Sequence, residues 1–180
     1  HAFLNCYLRE TGEYEVREAA VAGVEPGPDG LLRARLPAQG IELLAPLEYR
    51  SPTERHLFET PVRYRIADGA PRPIDAATLA ALAVKDLSLE RDGDAVPDDL
   101  LERVLRSKGN VESFVAARAG DEERLYAETL SFRDAEQALV FGHHRHPTPK
   151  SRQGIAARDR ATYAPELRGS FPLPYFRAEP

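Results

Sequence analysis

The chain has 180 residues, 42% of them apolar and 29% charged, enough to bury a core in one sizeable domain or one and part of another. A net charge of -5 argues against general nucleic-acid binding. The single cysteine, Cys6, excludes an internal disulfide framework and fits a reducing cytoplasm, and no run nears the ~18 apolar residues of a membrane helix.

In chain order, residues 1 to about 11 read as a helix that ends at Gly12 as a C-cap. Leu31–Leu36 and Ile41–Ala45 are short apolar runs flanked by Pro and Gly turns, and Pro61–Ile66 alternates apolar and charged residues. These three read as a small antiparallel sheet. Pro71-Arg72-Pro73 reads as a stiff connection into a helical part. Asp75 is a good N-cap for a helix carrying Leu79, Leu82, Val84 and Leu87. Residues 88–97 read as a polar loop, and Pro97-Asp98-Asp99 opens a helix that Gly109 is expected to stop, with Asn110 capping another. A last helix is expected from about Asp121 to Val140. Strands followed by helices give an α+β class: a helical bundle plus a small antiparallel sheet.

No methionine occurs, and both ends look interrupted, so the chain reads as an internal piece of a longer protein. Charge is uneven. Between His143 and Arg160 stand Arg145, Lys150, Arg152, Arg158 and Arg160 against Asp159, with three histidines besides. A basic island on an acidic chain points to a local anion site.

The centre of that island is Gly142-His143-His144-Arg145-His146-Pro147-Thr148-Pro149-Lys150-Ser151-Arg152-Gln153-Gly154. Pro147 and Pro149 exclude a helix and favour extended conformations at His146 and Thr148. An extended segment would set His146, Thr148, Lys150 and Arg152 on one side. Imidazole, hydroxyl, ammonium and guanidinium are chemistry for a phosphate or carboxylate. The pattern by itself leaves open a solvated basic loop, and His143, His144 and His146 leave open a zinc site, though no second ligand pair stands at a recognised spacing. Glu166 either neutralises an arginine of the loop or lies in an exposed turn. Glu136 and Gln137 either bond back to the loop or face solvent. His56 reads as a surface or half-buried histidine, and Cys6 as a core residue.

The segment resembles the hallmark of the IucA/IucC family of siderophore synthetases, which work independently of nonribosomal peptide synthetases: Gly-His-Pro-x-His-Pro-x-x-Lys-x-Arg-x-Gly. The flanks, Asp134–Val140 before and Tyr163–Phe176 after, are similar to the family's too, as is Phe3-Leu4-Asn5-Cys6 with Arg9-Glu10. His144 departs from the usual proline, and Pro174 stands where relatives often carry histidine.

The resemblance implies an ATP- and Mg²⁺-dependent ligase that adenylates a carboxylate of citrate or a related polycarboxylic acid. The activated acid is then condensed with an amine or alcohol in siderophore biosynthesis, in the cytoplasm and as a homodimer. It implies His146, Lys150 and Arg152 as catalytic residues, and His143, Thr148, Lys150, Ser151 and Arg152 as nucleotide-binding ones, with Mg²⁺ ligands mostly outside this chain and no resident metal site within it. Residues 1–141 would form a thumb-like N-terminal domain, and 142–180 the loop and the beginning of the fingers. A fragment of this kind would be inactive alone. The alternative is a noncatalytic anion-binding or dimerisation module of a larger protein. Neither reading involves nucleic acid or a membrane.

Overall fold

The computed structural model describes residues 1–90, 96–126 and 129–176. Two compact units emerge: His1–Leu105 with His143–Pro149, and Arg106–Gly142 with Lys150–Pro180. They interleave along the chain.

The first unit is built on an antiparallel sheet. Its strands are β1 (Tyr14–Arg17), β2 (Leu31–Leu36), β3 (Ile41–Tyr49), β4 (Leu57–Phe58), β5 (Arg63–Ile66) and β6 (Arg72–Pro73). Their order is β1-β2-β3-β5-β6, with β4 paired to β3. Helices α1 (Ala2–Thr11) and α2 (Ala76–Glu90) lie wholly in this unit. Alternate residues of a strand face opposite sides. Leu32, Ala34 and Leu36 of β2 and Leu43 of β3 therefore join Leu8 of α1 and Leu79 of α2 in one buried core. The opposite side of the sheet carries charge: Arg33 bonds Glu15 at 3.0 Å and also pairs with Glu42, which accepts from Arg65 Nε at 2.6 Å. Burial opposes ionisation of Glu42, but the hydrogen bonds from Arg33 and Arg65 outweigh it and hold the carboxyl below its usual range.

Several buried polar groups inside this unit bond one another. Asn5 Nδ2 donates to the His56 carbonyl at 3.0 Å, and the His56 N–H returns a bond to Asn5 Oδ1 at 3.2 Å. Asp86, fully buried, accepts from the Tyr7 hydroxyl at 3.3 Å and from the Gln39 N–H at 3.2 Å. Burial first, then Asp86, pushes the Tyr7 phenol up.

The α+β class is as expected, and so are three details. Gly12 closes α1 in the left-handed region at φ 69°, donating to the Leu8 carbonyl. Asp75 Oδ1 accepts the N–H groups of Ala77 and Thr78 at the start of α2. The expected strands at 31–36, 41–45 and 61–66 are β2, the greater part of β3 and β5. Pro71-Arg72-Pro73 is more than a connection, because β6 pairs with β5. His56 is buried, whereas Cys6 is only partly so; burial, reinforced by Glu10, pushes its thiol up. Of the expected polar loop at 88–97, residues 88–90 belong to α2, and 91–95 lie outside the described residues.

Two helix boundaries differ from expectation. Gly109 does not stop a helix: α3 runs from Leu100 to Ala117 without interruption. Its buried stripe, Val104, Ser107, Asn110, Phe114 and Arg118, keeps helical spacing across the glycine. Among the described residues the expected helix from Asp121 to Val140 is instead two short ones, α4 (Glu122–Leu125) and α5 (Phe132–Gln137), with 127–128 outside the described residues. Ser131 is the cause at the second: it is extended and its Oγ accepts the Asp134 N–H at 3.1 Å, so it starts a helix rather than continuing one.

Candidate functional site

The Gly142–Gly154 segment is neither helix nor strand, as its prolines require. It is not one extended stripe, however. Turns at His144–Arg145 and Pro149–Lys150 fold it, and the compact units divide it after Pro149.

His143, His144 and His146 fall in the first unit, and all three are exposed. The His146 N–H donates to the His143 carbonyl at 3.2 Å. The Thr148 N–H donates to His146 Nδ1 at 3.1 Å, so Nε2 is the ring nitrogen not used in that bond. Arg145 ties the segment to the sheet unit by donating to the Thr53 carbonyl. Thr148 is buried. Among the described residues no group of three or more His, Cys, Asp or Glu is placed to hold a metal ion.

Lys150, Ser151 and Arg152 fall in the second unit. The Arg152 N–H donates to the Lys150 carbonyl at 2.9 Å, a tight turn that brings both side chains to one carboxylate. Glu166 Oε1 accepts from Lys150 Nζ at 2.5 Å and from Arg152 Nη2 at 2.6 Å. The side chains of Lys150 and Glu166 are 8% and 3% exposed; that of Arg152 is 31% exposed. Lys150 is fixed at every polar atom. Its N–H donates to Ser107 Oγ at 3.0 Å, its carbonyl accepts from Asn110 Nδ2 at 2.7 Å, and its ammonium also donates to the Leu139 carbonyl.

Glu166 owes its place to a short 3₁₀ turn, Pro165–Leu167. The turn is closed by Arg168 N–H to the Pro165 carbonyl and Gly169 N–H to the Ala164 carbonyl. A Cβ on Gly169 would lie 2.6 Å from the Thr162 carbonyl oxygen and 2.8 Å from that of Ala164, so only glycine fits this approach. Arg168 Nη2 pairs with both oxygens of Asp121 at 2.5 Å, and this bond holds the Asp121 carboxyl below its usual range. Gln137 Nε2 donates to the Gly169 carbonyl at 3.3 Å. Of the two open readings for Glu166, neutralisation holds. Gln137 bonds the turn that follows the loop, and Glu136 is exposed.

Beside this cluster lies a narrow cleft, wide enough for about one water molecule. Arg152, Arg160 and Asn110 line it together with Phe114, Ile155 and Ala164. Two guanidiniums at one opening favour a small anion. Sequence reasoning missed Ser107 and Asn110. Their signal was two polar residues on the apolar stripe of a helix, legible only once Gly109 is accepted as helical.

Comparison with known proteins bears out the family resemblance. Residues 131–180 match the IucA / IucC family. Over 98% of its length the chain is 40% identical to a spermidine-citrate ligase of Bacillus anthracis, of which it covers 31%. It is 36% identical over 99% of its length to the rhizobactin siderophore biosynthesis protein RhbC of Rhizobium meliloti (strain 1021), covering 29% of it. The ATP-bound aerobactin synthetase IucA of Klebsiella pneumoniae has the same fold over 93% of this chain, with TM-score 0.80 and 32% identity; 28% of that chain is covered. The chain thus spans under a third of the length of these relatives.

Proposed function

We propose that this chain is part of an ATP-dependent synthetase that activates a carboxylate of citrate or a related polycarboxylic acid and joins it to an amine or alcohol in siderophore biosynthesis. The likeness to a spermidine-citrate ligase over 98% of the chain carries this reading. The cation cluster on Glu166 supports it chemically, since a polyanionic nucleotide and a polycarboxylate both need fixed cationic donors.

ATP would supply the activating group that makes the carboxylate reactive. Toward it, His146 offers Nε2 from an exposed ring, Arg152 a planar fork, and Lys150 a fixed charge behind the fork. These three are the proposed catalytic residues, with His143, Thr148, Lys150, Ser151 and Arg152 serving nucleotide binding. Mg²⁺ would enter with the nucleotide's phosphates. Residues 1–141 then correspond to a thumb-like domain and 142–180 to the start of the fingers. The whole enzyme would work as a homodimer in the cytoplasm, and this chain alone would be inactive.

The test is ATP–pyrophosphate exchange by the whole synthetase across citrate, succinate and 2-oxoglutarate derivatives. Exchange with one of these acids is expected, and it falls by about 10²–10³ in His146→Ala and Arg152→Ala. Near-wild-type exchange in both variants would sink the assignment.

A further inference from the structure

Glu166 presents an imbalance. Two cations share one of its oxygens, while the other, Oε2, is buried without a hydrogen-bond partner. Counted as charges, Lys150, Arg152 and Glu166 leave one positive charge over. The two cations differ in where they can discharge it. Lys150 is buried, and its ammonium is divided between Glu166 and the Leu139 carbonyl. Arg152 keeps an exposed edge and borders the cleft that Arg160 also lines. Burying a charge without a countercharge is costly, so the carboxylate is needed first by the ammonium.

We propose that Glu166 is a positioning residue: it neutralises Lys150 as an internal strut, and it sets Arg152 at the cleft with its charge unmatched, ready for a phosphate or carboxylate oxygen. Glu166 does not touch the substrate. Lys150 acts through it rather than by contact. This rests on the synthetase reading, and it narrows the part that Lys150 plays there.

The proposal makes activity follow the net charge of the trio rather than the presence of Lys150. Glu166→Gln keeps the shape and an acceptor oxygen but leaves two positive charges. Lys150→Met leaves none, because Glu166 then cancels Arg152. The double variant restores one. On the whole synthetase, each single substitution is expected to lower pyrophosphate exchange about tenfold or more. Lys150→Met should act mainly through a raised KM for ATP. The double variant is expected to exceed both single variants in exchange, and to melt higher than Glu166→Gln. Additive losses, with the double variant no better than either parent, overturn the proposal.

If the wild-type synthetase shows no exchange with any acid, the synthetase reading falls. The melting temperatures then decide the positioning claim alone: a double variant no more stable than Glu166→Gln refutes it. If Glu166→Gln does not accumulate as folded protein, Lys150→Met is expected to rescue it, and failure to do so counts against the proposal.

Discussion

Replacing Gly109 by alanine turns a helix boundary into a question of sign. In α3 the glycine lies mid-helix and is absent from the residues of positive φ, and a Cβ added to it meets nothing within 4 Å. Glycine in a helix interior costs ~0.5–1 kcal/mol relative to alanine, through the backbone freedom it loses on folding. Gly109→Ala should therefore stabilise the chain by that amount, which for a chain of this size raises the thermal midpoint by about 2–4 °C per kcal/mol. Had Gly109 been a left-handed C-cap, as its place in the sequence suggests, the same substitution would cost roughly 1–2 kcal/mol. Thermal and urea denaturation of the 180-residue chain distinguish the two. A lowered midpoint would refute the continuous helix, and with it the face that brings Ser107 and Asn110 to Lys150.

Two further substitutions probe the site and the sheet unit. Asn110→Ala removes the side-chain donor from the buried Lys150 carbonyl, leaving it the Arg152 N–H, and should cost ~0.5–1.5 kcal/mol in urea denaturation; unchanged stability would count against that contact. His56 is buried neutral, its Nδ1 accepting the Ser51 N–H, and burial first, then Arg50, holds its pKa below the usual value. The unfolded chain binds that proton first, so the stability His56 confers is present above about pH 6.5 and lost as pH falls through the folded value. The midpoint should drop between pH 7 and pH 5, and less steeply in His56→Asn; equal slopes would refute this.

The sheet was legible because Leu31–Leu36 and Ile41–Ala45 place apolar groups where a two-sided sheet must bury them. β1 was not, since Tyr14–Arg17 is half charged and becomes a strand only by pairing with β2. Gly109 and Ser131 misled in opposite directions, one helical despite its propensity and one extended inside an apparent helix. At the site, the basic residues announced themselves, but their division did not. Pro147 and Pro149 suggested one straight stripe, whereas the chain turns at each end of that pair. Whether Glu166 was a turn residue or a countercharge depended on burial, which no local pattern encodes. Asn110 acquires meaning only from the backbone of Lys150, 40 residues on.

The charged side of the sheet bears on what the chain attracts from solution. Along Arg17, Glu15, Arg33, Glu42 and Arg65 each carboxylate lies between two guanidiniums, so most of their field cancels at short range. Beyond a Debye length, about 10 Å at 0.1 M salt, an approaching polyanion is little steered by that row. The gradient lies where cations outnumber anions, between His143 and Arg160. Charges paired against one another direct encounter as surely as an attractive loop does, by leaving the pull elsewhere.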